Sequence, residues 1–196
     1  AAALQKSRER LQAGDLDGCA QALALARELQ VPRAEADAVA QQLQARRRAG
    51  AGIGALLAQA RNAFAAGRLD DGDSSALPLF QRVLALQPDN LPALEGREDA
   101  LSDLLQQARA QAGRGELATA AAILQRARQF DPGHSELPAS QEALARAIDQ
   151  RLQQGQRALK RQQLETAADS FQAVLAVTAD DPTALRGREQ TVQALL

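Results

Sequence analysis

The sequence predicts an all-α fold, and two observations carry that expectation: its composition and its internal repeat. Of 196 residues, 45% are hydrophobic but only 2% are aromatic, with neither Tyr nor Trp. Alanine, leucine and glutamine dominate; these are strong helix formers, and the β-branched and aromatic residues that a sheet needs are sparse. The repeat is explicit. Residues 80–105, FQRVLALQPDNLPALEGREDALSDLL, match 171–196, FQAVLAVTADDPTALRGREQTVQALL, at 13 of 26 positions without a gap. Chance would give about two or three.

Shorter copies fix the unit. LLAQARNAFAAGRL (56–69) aligns with LLQQARAQAGRGEL (104–117), with the weaker RLQQGQRALKRQQL (151–164) and with QKSRERLQAGDL (5–16), so four units are expected. In each, a first helix carries a small residue on its inner face: Ser7, Ala60, Ala108, Gly155. A turn follows at Gly14, Gly67, Gly115 and the glycine-less Gln162, and a second helix opens on Leu16, Leu69, Leu117 or Leu164. That helix places a small residue (Cys19, Ala76, Ala120, Ala167), then a large one (Leu23, Phe80, Leu124, Phe171), then a medium one (Ala26, Val83, Ala127, Val174). Spacings of i, i+4 and i+7 put all three on one helix face, where small residues admit a close neighbour and the large one fills the gap.

The punctuation agrees. Pro32, Pro88 and Pro132 follow second helices, where proline stops a helix. Asn90 and Ser135 stand where N-caps belong, and Asp181 precedes Pro182. Pro78 fits a helix capped by Ser74 or Ser75, because a first turn loses no intrahelical N–H. Long first helices are expected near 91–113 and 136–161. The stretch RRRAGAGIG (46–54) holds three glycines in five residues, each costing about 1 kcal/mol in a helix. A break is therefore expected at 49–54, between a first unit with its connecting helix (1–48) and three further units (55–196) ending in a capping helix, unless the array runs on past Leu196.

This small–glycine–small–large–small–proline series resembles the tetratricopeptide repeat family, with GRGELATAAAILQRARQFDP (113–132) the best single match. The resemblance implies an α-solenoid, a right-handed superhelical array of antiparallel helix hairpins. Two departures stand out: the family's large aromatics are missing from the first helices, and equivalent turns lie 47–53 residues apart, against a usual period of about 34.

Little in the sequence points to chemistry. The net charge is −1 with both signs interspersed, unlike a nucleic-acid footprint. Arg46-Arg47-Arg48 is expected at a helix end, complementing the dipole. The one histidine, His134, sits in the turn DPGHS as a solvated residue, and Cys19 falls at a small core position. Asp70-Asp71-Gly72-Asp73 lacks the ligand alternation and closing glutamate of a calcium loop, so no metal or cofactor is expected. The expectation is a non-catalytic protein, with no apolar run of the roughly 20 residues a membrane span needs. Composition rich in arginine and alanine suggests a bacterial source, and the leaning is toward the cell envelope.

The polar pattern that remains is positional. Arg8, Arg61 and Arg109 occupy equivalent places on three first helices, with Gln156 in the fourth. Leu57, Leu105 and Leu152 lie one turn before, and Phe64 and Leu159 one turn after. In the family this side lines a concave groove. One reading is an arginine ladder that grips an acidic or C-terminal carboxylate segment of a partner protein, since the guanidinium fork binds carboxylates bidentately. The other is that these arginines pair with acids of neighbouring helices, and the chain is a regulatory or spacer region of a larger protein. A small-ligand or sugar binder is a third reading, weakened by the lack of Trp and Tyr.

Overall fold

The structure is a computed structural model that describes residues 2–195; Ala1 and Leu196, the latter part of the expected capping helix, lie outside the described residues. Among the described residues there are nine α-helices and no strands: α1 (Ala2–Gln12), α2 (Leu16–Glu28), α3 (Arg33–Ala65), α4 (Ala76–Leu86), α5 (Leu91–Gly113), α6 (Leu117–Phe130), α7 (Leu137–Lys160), α8 (Leu164–Leu175) and α9 (Pro182–Leu195). The chain divides into two compact units, Ala1–Gln59 and Ala60–Leu196.

The expected break at 49–54 is absent as an interruption of the helix. These residues belong to α3, 33 residues long. Gly50, Gly52 and Gly54 have open space where a side chain would stand, so no neighbour requires them to leave the helix. Good helix formers on both sides propagate it through, and propagation is far cheaper than a second nucleation. The division between units falls at Gln59/Ala60 instead. Arg46 and Arg47 are likewise not at a helix end. Arg46 donates to the Leu11 carbonyl at 2.6 Å, satisfying the C-terminal end of α1, and Arg47 pairs with Asp17 in the first turn of α2 at 2.9 Å. The dipole argument therefore holds for Arg46 alone, and for α1 rather than its own helix; Arg47 is held by the Asp17 carboxylate.

In the first unit, Leu4 and Leu11 of α1, Cys19, Leu23 and Ala26 of α2, and Ala36, Val39 and Leu43 of α3 form one core. Asp15 caps α2 by accepting from the Gly18 N–H at 2.8 Å. In the second unit α4 packs on α5, α5 on α6 and α7, α7 on α8, and α8 on α9. The seam read from spacing is buried throughout: Cys19, Ala26, Ala76, Val83, Ala120, Ala167, Phe171 and Val174 are at 0% exposure, and Leu23, Phe80, Leu124 and Ala127 at 5% or less.

Three turn glycines are required by conformation. Gly14, Gly67 and Gly115 have φ of +78°, +70° and +81°, and Gln162 adopts φ +58° at the equivalent place without glycine's freedom. Caps follow at Asn90, which accepts from the Ala93 N–H at 3.0 Å, and at Asp181, which accepts from Thr183 and Ala184 at 2.9 and 2.8 Å. Two boundaries differ from expectation. The second helix of the second unit starts at Ala76 behind Ser75, not at Leu69, because the inserted acidic loop carries Leu69 into the core before the helix begins. Pro78 then sits in the first turn. α7 starts at Leu137, and Ser135 does not cap it.

The two long repeats share a further contact. The Phe80 ring lies against Gly96 and the Phe171 ring against Gly187, each so closely that a Cβ on the glycine would collide with it. Phe171 is also held by Gly155, where a Cβ would stand 2.9 Å from the ring. The glycine of each GRE triplet is thus the seat of the phenylalanine 16 residues before it.

Candidate partner-binding surface

The arginines expected to form a ladder have different surroundings. Arg8 pairs with Glu35 of α3 at 3.1 Å. Arg109 pairs with Glu136 at 2.8 Å and donates to the Ser140 hydroxyl at 2.9 Å. The Ser102 hydroxyl and then the Arg109 guanidinium beside it hold the Glu136 carboxyl below its ordinary range. Arg61 is exposed and makes no ion pair among the described residues. Of the apolar partners, Leu105 is fully buried and lines no surface, because α5 is covered by both α6 and α7. Leu57, Phe64 and Leu152 are half-buried, and Leu152 packs against the core of the second unit.

Gln156 and Leu159 are brought together at an open cleft. A depression of about 400 Å³ lies between α7 and α9, lined by Gln156, Leu159 and Lys160 from α7, by Arg186 and Gln190 from α9, and floored by Phe171. α9 is placed there by the Asp181 cap and by Gly187 seated on the Phe171 ring. No carboxylate lines the cleft. Arg186 uses its Nε on the Pro182 carbonyl, 3.1 Å away in its own helix, and Lys160 has no ion-pair partner among the described residues. Two cations, two side-chain amides and the half-buried Leu159 can together take an anionic group and the chain that carries it.

The first unit has a cleft of about 610 Å³ containing Arg8 and Arg46, but both are engaged, with Glu35 and with the Leu11 carbonyl. Lys160 and Arg186 were absent from the sequence-based site. One signal for Arg186 existed: the 91-residue offset aligns it with Glu95, a reversal of charge inside a conserved run.

His134 is a correction. It is 4% exposed rather than solvated, because the DPGHS turn folds back onto α5. Its Nδ1 accepts from the Glu136 N–H at 3.2 Å, which places the ring proton on Nε2, 3.2 Å from a Glu98 carboxylate oxygen but out of line with it. Cys19 is fully buried, as its position in the seam required, and burial pushes its thiol up against the opposing influence of Arg47. Asp70 of the acidic loop is spent on Arg126 of α6. Among the described residues no cluster of acidic, histidine or cysteine side chains could hold a metal ion, and no helix is long and apolar enough to cross a membrane.

Comparison with known proteins finds no family model, no curated protein and no solved structure that matches the chain.

Proposed function

We propose that this chain is a tetratricopeptide-like helical repeat module that binds another protein, and that the α7–α9 cleft receives an extended acidic segment of that partner. The observation that supports this reading is the lining of the cleft: Lys160 and Arg186 with no opposing carboxylate, beside the half-buried Leu159. An unbalanced pair of cations favours an anionic occupant, and its flanking amides offer donors to a carboxylate or a peptide carbonyl. The proposed site departs from the three-arginine ladder, since Arg8 and Arg109 are already occupied.

Those same two ion pairs favour a second reading, in which the array is a spacer whose arginines brace its hairpins. The readings separate by fluorescence anisotropy with a fluorescein-labelled peptide rich in Asp and Glu. The expected result is saturable binding that weakens with salt, since exposed charges are screened within about 8–10 Å. Lys160→Glu with Arg186→Glu abolishes it, and Arg61→Glu leaves it unchanged. Absence of binding by the wild-type chain, or equal binding by the cleft variant, gives the spacer reading the lead.

A further inference from the structure

Three of the helix-to-helix links take three residues each: 13–15 between α1 and α2, 114–116 between α5 and α6, and 161–163 between α7 and α8. The link between α3 and α4 takes ten, 66–75. The surplus is the acidic loop Asp70-Asp71-Gly72-Asp73-Ser74, which the shorter links do without. The loop is fixed at its base. Leu69 is buried at 3% exposure, and its carbonyl accepts from the Leu77 N–H at 2.9 Å. Asp70 pairs with Arg126 of α6, the Ser75 N–H donates to the Gly72 carbonyl at 2.9 Å, and Arg68 donates to the Ser74 carbonyl at 3.3 Å. At the tip, Asp71 and Asp73 are exposed and make no ion pair among the described residues.

The tip is thus an acidic segment held outside any helix. Among the described residues only two non-helical segments set carboxylates side by side, 70–71 and 180–181. Asp181 is spent on the Thr183 and Ala184 N–H groups, at the start of the helix that walls the α7–α9 cleft. Asp71 and Asp73 have no such duty. The cleft carries the matching charge, Lys160 and Arg186 with no carboxylate in its lining. A loop does not reach the cleft of its own chain. Its anchor Arg126 lies four residues before the end of α6, near the α6–α7 turn. Lys160 closes the far end of α7, a helix of 24 residues and so about 36 Å long. Asp71 and Asp73 lie within three residues of Asp70, a span of about 10 Å at full extension.

We infer that the occupant of the α7–α9 cleft, taken as a site for acidic segments, is the Asp71–Asp73 tip of a second copy of this chain. If the cleft took no acidic segment at all, this contact would fall with it. The two surfaces differ, so the contact is head-to-tail, each copy lending its loop to the next. It is weak and salt-sensitive, because exposed ion pairs contribute little and the tip is small.

Sedimentation equilibrium of the whole chain, from about 10 μM to about 1 mM, reads this contact. The expected result in low salt is a weight-average mass that climbs above the monomer with concentration and falls back toward it at about 1 M salt. Asp71→Lys with Asp73→Lys, and Lys160→Glu with Arg186→Glu, each weaken association at least about tenfold. The chain carrying all four changes has its signs exchanged on both surfaces and associates again. All four side chains are exposed, so circular dichroism is expected to show an unaltered fold; Asp71→Asn with Asp73→Asn and Lys160→Gln with Arg186→Gln serve if it does not. A chain that stays monomeric throughout overturns the inference, as does association that ignores either pair of changes or that the four-fold exchange fails to restore. The Asp- and Glu-rich peptide separates this result from the cleft itself. A monomeric chain that still binds the peptide through Lys160 and Arg186 keeps the cleft and overturns the second copy; a chain that does neither overturns both.

Discussion

Residues 80–105 and 171–196 share half of their residues in different settings. Both fold a phenylalanine onto a glycine 16 residues later, and both bury the alanine three residues before that glycine. They part in two ways. Phe171 is gripped from two sides, by Gly155 and Gly187, whereas the second unit has Ala60 at the place of Gly155. Leu101 and Leu104 are buried in the first copy, whereas their counterparts Val192 and Leu195 are exposed in the second. The local hairpin contact is therefore a property of the repeat itself, and what lies over the long helix beyond it is a property of the neighbour. Equivalent sequence positions can be core in one unit and surface in the next.

The comparison breaks most visibly at the rings. Phe80→Ala and Phe171→Ala are each expected to lose about 3–5 kcal/mol, the usual cost of emptying a buried aromatic site. Urea titration measures both, and equal losses would show that the second glycine adds nothing to Phe171. Next come the seats. Gly96→Ala and Gly187→Ala should cost about 1–3 kcal/mol by overpacking, since a Cβ at either collides with a ring. Gly155→Ala should cost less, because its Cβ would stand 2.9 Å from the ring, against 2.3 Å at Gly187.

The ion pairs come third. Because the folded-state titration of Glu136 is depressed, its contribution is complete above the ordinary carboxylate value of 4.5 and is lost as pH falls through the folded value. Glu136→Gln should thus lower Tm near neutral pH, and the gap from wild type should close in acid. A gap that persists there would mean that the side chain acts through packing alone. The smallest effect is a gain. Gln162 adopts the left-handed conformation that glycine takes at the other three turns, so Gln162→Gly should add about 0.5–1 kcal/mol. The same change at Gln30, φ +55°, should act in the same direction.

The parts of this fold legible in the sequence were those set by local spacing. All twelve seam residues, the Asn90 and Asp181 caps and the first-turn place of Pro78 follow from periodicity and backbone chemistry. What failed depended on partners far along the chain. Nothing near Arg109 indicates that Glu136, 27 residues later, will take its guanidinium, and nothing near His134 indicates that α5 will cover it. Leu105 was misread because a 3.6-residue period reports that a stripe is apolar, not how many neighbours share it. The α7–α9 cleft was half legible: Gln156 and Leu159 came from the repeat, whereas Lys160 and Arg186 needed the crossing of two helices.

The sealed thiol of Cys19 gives the molecule a built-in gauge. With no Tyr or Trp, the chain lacks the usual intrinsic fluorophores, but it has one sulfur, at 0% exposure in the first unit. A thiol reagent can reach it only when α2 parts from its core, and burial raises the thiol pKa and suppresses the reactive thiolate until then. The alkylation rate of the native protein therefore reports the opening of residues 1–59 alone. Set beside the global urea transition, it tells whether the two compact units melt together or one at a time.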